Sequence, residues 1–245
     1  MSTTLLEIAA ASIGSALTAQ EGGAGRIELC ANLREGGTTP SYGTLVEARK
    51  RLHIPIHVLV RPRGGDFLYD DAETAVMLRD IAACVQAGAD GVVIGALDAD
   101  GDIDSGVCRQ LIAAAGALDV TFHRAFDAAR DREAALEAIV ALGCKRVLTS
   151  GGAANAALGA DALAQIVRQA NGRIAIMAGG GVNAANVGEL VARSGVDECH
   201  ASAGGEHRSL MRLRRTDLPG LEPDFVQTDV ARVRALVAAL SSANA

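Results

Sequence analysis

Short apolar runs recur along the chain, each followed by a longer stretch in which small and apolar residues return with helical spacing. The runs predict strands over Leu5–Ala9, Arg26–Cys30, Ile56–Arg61, Gly91–Leu97, Val120–Phe126, Arg146–Ser150, Ile174–Ala178 and Val196–Ser202. The stretches between and after them predict helices over Ser12–Gln20, Ser41–Leu52, Asp71–Gln86, Asp104–Ala115, Asp131–Leu142, Asp161–Gln169, Ala184–Ala192 and Asp229–Leu240. Strand and helix alternate with short, even links, which favours a parallel α/β barrel, a TIM (β/α)8 architecture, over an open doubly wound sheet. Residues 1–245 read as a single domain. Two links break the rhythm, Arg61 to Tyr69 and Ala203 to Gln227, and both follow strands, where they are expected to cover the barrel mouth.

Alternation along each strand assigns side chains to the barrel axis or to the helix layer. Glu7 and Ala9, Glu28 and Cys30, His57, Leu59 and Arg61, Thr121 and His123, and Glu198, His200 and Ser202 all fall on the inward parity. An interior so rich in ionisable groups is costly unless it is paired or used. Each residue alone reads most simply as part of a satisfied network, but the set near strand ends reads as a polar pocket. Within it His123 and His200 are the acid/base candidates, with Glu7 and Glu28 as carboxylate partners. The stretch Asp119 to Asp127, in which a β-branched and aromatic run ends in His, Arg and Asp, is the plainest case of a strand delivering chemistry at its C-terminal end.

Glycine-rich turns add a second theme. Gly179, Gly180 and Gly181 follow the seventh strand, Ser150 closes the sixth and Ser202 the eighth, positions at which barrel loops often hold a phosphate through backbone N–H groups. Arg61 and Arg63 would supply positive charge to a bound anion.

Composition narrows the field. The chain has 245 residues, 49% of them hydrophobic, with no Trp, four Phe and two Tyr, so its core is aliphatic. The net charge of −6, from 23 Lys and Arg against 29 Asp and Glu, argues against nucleic acid or an anionic membrane as partner. No leader or membrane-spanning run is apparent, and five widely spaced cysteines without a Cys-x-x-Cys pair suggest reduced thiols in the cytoplasm.

The runs Arg26-Ile27-Glu28-Leu29-Cys30, Glu35-Gly36-Gly37-Thr38-Thr39-Pro40-Ser41, Arg61 to Phe67, Thr121 to Asp127 and Val147 to Gly151 resemble the signature segments of the CutC copper-homeostasis family. That resemblance implies a cytoplasmic, often homo-oligomeric TIM barrel linked to copper handling and proposed to bind Cu(I). It makes Cys30 the metal candidate. Family members commonly carry a second cysteine two residues after the first-strand Glu, where this chain has Ala9. The residues themselves support the alternative of an isomerase- or lyase-type enzyme that moves a proton on a small anionic substrate, phosphorylated or not.

Overall fold

The computed structural model describes residues 4–243; Met1 to Thr3, part of the stretch searched for a leader, lie outside the described residues. Eight strands close into a parallel barrel in sequence order: β1 (Leu5–Ala10), β2 (Arg26–Leu29), β3 (Ile56–Leu59), β4 (Gly91–Ile94), β5 (Asp119–Phe122), β6 (Arg146–Thr149), β7 (Ala175–Gly179) and β8 (Glu198–Ala201). The helices α1 (Ile13–Gly22), α2 (Tyr42–Arg51), α3 (Asp71–Ala87), α4 (Ser105–Ala115), α5 (Arg132–Ala141), α6 (Ala160–Ala170), α7 (Val187–Ser194) and α8 (Val230–Ala243) complete the eight units. The barrel foreseen from periodicity is the one observed.

Local chemistry explains the element ends. Ser12 accepts from the Ser15 N–H at the start of α1, Asp70 and Glu73 form a reciprocal capping box at α3, and Gly88 ends that helix in the left-handed region. The outward residues Ile8, Ile27, Ile56, Phe122 and Cys199 are completely buried beneath the helices. Each large aliphatic side chain there contributes about 2 kcal/mol of burial. At Gly22 a Cβ would lie 2.5 Å from Val233, so the α1–α8 contact closes the ring only because that position is bare.

Two differences from the sequence reading matter for the site. The fifth strand stops at Phe122 rather than running to Phe126, because His123 turns to cap a 3-10 helix over Arg124–Ala128. Residues 203–227 do not cover the mouth as expected, and only Ala203 and Gly204 border a hollow at its side. The segment builds a two-stranded antiparallel sheet, β9 (Gly204–His207) with β10 (Phe225–Thr228), beside α1, where the Thr228 N–H donates to Ser15 Oγ at 3.1 Å. Of the two irregular links, the one after β3 supplies Phe67 to the mouth.

Candidate functional site

The floor of the barrel is an ion network. Arg26 donates to Glu7 and Glu198, and Arg146 reaches Glu198, Asp119 at 3.3 Å, the Thr121 hydroxyl at 3.1 Å and His57 Nδ1 at 3.4 Å. Neither arginine was anticipated, although Arg26 shares the inward parity of Glu28 and Arg146 that of Leu148. Both sit at the entry ends of their strands, where a long cation ordinarily reaches water. Here both are buried, and burial together with the two arginine charges outweighs Glu7 and pushes His57 down to about 4.

Above this floor a cavity of about 650 Å³ opens at the C-terminal face of the barrel. Glu28, Arg61, His123, His200, Gly180, Gly181 and Ser202 line it, with Ala9, Leu59, Phe67 and Leu148 as apolar walls. Arg124 and Asp127 stand at its rim. Among the described residues four buried side-chain polar atoms have no hydrogen-bond partner: Glu28 Oε2, Arg61 Nε, His123 Nε2 and the Tyr69 hydroxyl oxygen. Three of the four belong to residues of this cavity. Unpaired buried polar atoms are costly, so their concentration in the residues around one hollow makes it the candidate site.

Each group has a distinct electrostatic setting. Glu7 is completely buried; that would raise its pKa, but the hydrogen bond from His200 Nδ1 at 2.8 Å and the Arg26 charge win and hold it far below the carboxylate range. Glu28 lacks such partners. Burial, reinforced by the Glu7 charge and only partly offset by His200 and Arg26, raises it to about 7. Burial would lower His200, but the carboxylates of Glu28 and Glu7 reverse that, and its pKa is raised. His123 goes the other way, down to about 3, through burial and the nearby Arg61 charge. Its Nδ1 accepts from the Ala125 N–H at 3.1 Å, so the neutral ring carries its proton on Nε2, the atom left unpaired. His123 is thus a hydrogen-bond donor at neutral pH, and it makes no hydrogen bond to Glu7 or Glu28.

Small residues make this placement possible. A Cβ on Gly95 would lie 2.5 Å from His123 Nδ1, and one on Gly91 2.7 Å from His57 Nε2. Phe67 packs on the His123 ring at 5.0 Å and beneath the Arg61 guanidinium at 5.0 Å. Arg61 donates through Nη1 to the carbonyls of Glu35 and Gly37, and through Nη2 to that of Gly65. It therefore ties together the loops after β2 and β3.

The remaining candidates are placed differently. Arg63 pairs with Glu73 and Asp66 and stacks on Tyr69, and it does not line the cavity. The Ser150 N–H and hydroxyl are taken by Asp127, which also receives the Gly152 N–H, the Thr149 hydroxyl and Arg124 Nε. An internal carboxylate thus fills the donor nest after β6. Gly179 gives room to Leu148 and His200, while Gly180 and Gly181 face the cavity.

Cys30 is 1% exposed and packs with Ala9, Leu59 and Val93 inside the barrel. Burial and the carboxylates of Glu28 and Glu7 push its thiol well above the usual range. One ligand atom each from Glu7, Glu28 and His200 lie within 4.8 Å of one another, an oxygen and nitrogen set that could hold a divalent cation. Glu7, however, is already engaged by Arg26 and His200.

The CutC family model matches residues 4–205 of the chain. A CutC family protein of Xylella fastidiosa strain 9a5c is 54% identical over 240 residues, covering 96% of this chain and 88% of the relative. One from Chromobacterium violaceum is 52% identical over 245 residues, covering 98% and 99%. The crystal structure titled putative copper homeostasis protein CutC from Streptococcus agalactiae superposes with a TM-score of 0.78 at 36% identity, over 81% of this chain and 98% of that one. Phosphoribosylanthranilate isomerase from Thermotoga maritima aligns over 98% and 99% with a TM-score of 0.60 at 12% identity, a likeness of fold alone.

Proposed function

The chain belongs to the CutC family, and from that premise we propose that its barrel mouth is an active site that moves a proton next to a carbonyl on a small anionic substrate. The observation that carries this reading is that three of the four unpaired buried atoms, an acceptor on Glu28 and donors on Arg61 and His123, belong to residues that line one cavity. Glu28, poised at about 7, takes the proton from carbon and returns it, the best pKa for a group that must do both near neutrality. The Nε–H of Arg61 and the Nε2–H of neutral His123 hold the oxyanion that forms as the proton leaves. His200, whose pKa the carboxylates of Glu28 and Glu7 raise, is the acid on the same wall. This is isomerase- or lyase-type chemistry.

The test is solvent exchange. Small phosphorylated and free hydroxy-aldehydes and hydroxy-ketones in D2O should lose an α-proton signal with the native protein. The rate should fall by roughly a hundredfold or more in Glu28→Gln. A 13C titration should place the Glu28 carboxyl near 7. Exchange that persists in the variant, or a Glu28 midpoint near 4, overturns the assignment.

Copper homeostasis is the role given to the Streptococcus agalactiae protein in its name. For this chain it is the second reading, with Cu(I) held in the cytoplasm through Cys30. The residues present fit that ion poorly. Cu(I) favours soft sulfur ligands, whereas the Cys30 thiol is held protonated among apolar atoms, Ala9 stands where a second thiol is commonly found, and the neighbouring donors are oxygen and nitrogen. Titration of reduced protein with Cu(I) against a calibrated chelator is expected to give no tight site that depends on Cys30. Tight one-to-one binding that vanishes in Cys30→Ser would restore copper as the direct ligand.

The same reading makes the chain a single-domain cytoplasmic protein that assembles with copies of itself. All five cysteines are free and buried, which suits a reducing compartment. Sedimentation equilibrium that returned a monomer would remove the assembly.

A further inference from the structure

We infer that the gap between the loops after β7 and β8 is a phosphate subsite, and that the substrate of the barrel mouth is a phosphate monoester. A hollow of about 350 Å³ lies there, lined by Val182, Ser202, Ala203 and Arg232, and Val182 and Ser202 also line the main cavity. The two spaces therefore share a wall, and a substrate lying across it would place its phosphate in the smaller one.

The backbone of both loops is arranged with its donors free. The Gly180 carbonyl accepts from the Ala156 N–H, and the Gly181 carbonyl from the side-chain amides of Asn183 and Asn186. The Ser202 carbonyl accepts from the Thr228 hydroxyl. Because a trans peptide places its N–H opposite its carbonyl, the N–H groups of Gly181, Val182 and Ala203 point away from these anchors. None of the three donates to another described residue, and neither does the Ser202 hydroxyl.

Left-handed backbone at Gly180, Gly181 and Ala203, with φ of 96°, 72° and 46°, turns the chain at both loops. For Ala203 that conformation is unfavourable, and the hydrogen bonds that hold the carbonyls of Ser202 and Ala203, from Thr228 and from the Asp229 N–H, maintain it. Arg232 brings the positive charge, with Nη1 tied to the Gly204 carbonyl. The residues that line the hollow thus bring the unpaired N–H groups of Val182 and Ala203, the Ser202 hydroxyl and one guanidinium, a set that matches the several acceptor oxygens of a phosphate dianion.

This subsite rests on the barrel mouth being the active site only for the side from which substrate enters; phosphate capture itself needs no turnover. Inorganic phosphate is the probe, its affinity read by isothermal titration on the native protein, Ser202→Asp, Arg232→Gln and Glu28→Gln. The native protein is expected to bind phosphate saturably. Ser202→Asp and Arg232→Gln, both at exposed positions, should weaken binding roughly tenfold or more. Glu28→Gln should leave it unchanged. Equal affinity in all four proteins, or no saturable binding in the native one, overturns the subsite. Phosphate binding with this pattern but no α-proton exchange would instead sink the role given to Glu28.

Discussion

Replacing Arg26 with methionine is expected to destabilise the protein by about 3 to 5 kcal/mol, a large share of a typical folding free energy. Arg26 is 3% exposed and is the cation that Glu7 and Glu198 share. Removing it leaves Glu7 with His200 and Glu198 with Arg146, two carboxylates in the barrel floor short of one positive charge. Methionine fills much of the volume and packs beside Met177, which the guanidinium already touches at 3.3 Å, so the loss is electrostatic. Adding Glu7→Gln should restore part of the stability, because the pair is coupled. Urea unfolding of the two single variants and the double variant measures this. A loss under about 1 kcal/mol for Arg26→Met would mean that Arg146 alone can neutralise the floor.

Acid should unfold the native protein through its neutral histidines. His57 and His123 have folded pKa values of about 4 and about 3, below the ordinary 6.5. Between 6.5 and those values the unfolded chain binds protons that the folded one refuses, so stability falls as pH falls. Over the full range the loss is on the order of 3 to 5 kcal/mol for each ring. Glu28 works in the opposite direction. Its folded value near 7 lies above the ordinary 4.5, so it favours folding at low pH and loses that contribution as pH rises through 7. His200, also raised, loses its own contribution in the same upward direction. Stability should therefore peak at about 6.5, decline gently to about 4.5, and drop more steeply below, where Glu28 no longer offsets the histidines and Glu7 takes up a proton in the unfolded chain but not in the folded one. Urea midpoints across this range, for the native protein and His123→Gln, are the check. An unchanged slope on the acid side in the variant would show that His123 is not held neutral.

The pattern of strands and helices carried the barrel because every inward and outward position repeats the same packing problem eight times. Inward parity likewise brought Glu7, Glu28, His57, Arg61, His123 and His200 to the interior. What it did not carry was pairing. Parity says that Glu7 and Glu28 both face the axis, but only the barrel's register sets Glu7 beside Arg26 and His200, leaving Glu28 unpaired. That contact separates a buried salt bridge from a group that titrates near neutrality. Arg63 and Ser150 illustrate the same limit from the other side, since their donors are consumed by Glu73, Asp66 and Asp127, partners that the linear order does not reveal. His123 stood out in the sequence, but which of its nitrogens carries the proton depends on capping a 3-10 helix that the apolar run through Phe126 concealed.

The bare position at Gly95 bears on how variation in this chain should be interpreted. Gly95 takes part in no chemistry and carries nothing to ionise, yet a single methyl group there would occupy the space of the His123 ring. An alanine at 95 and a lost imidazole at 123 would then be two genotypes with one phenotype. A survey that scored only the residues bearing functional groups would overlook this way in which the site can be inherited broken.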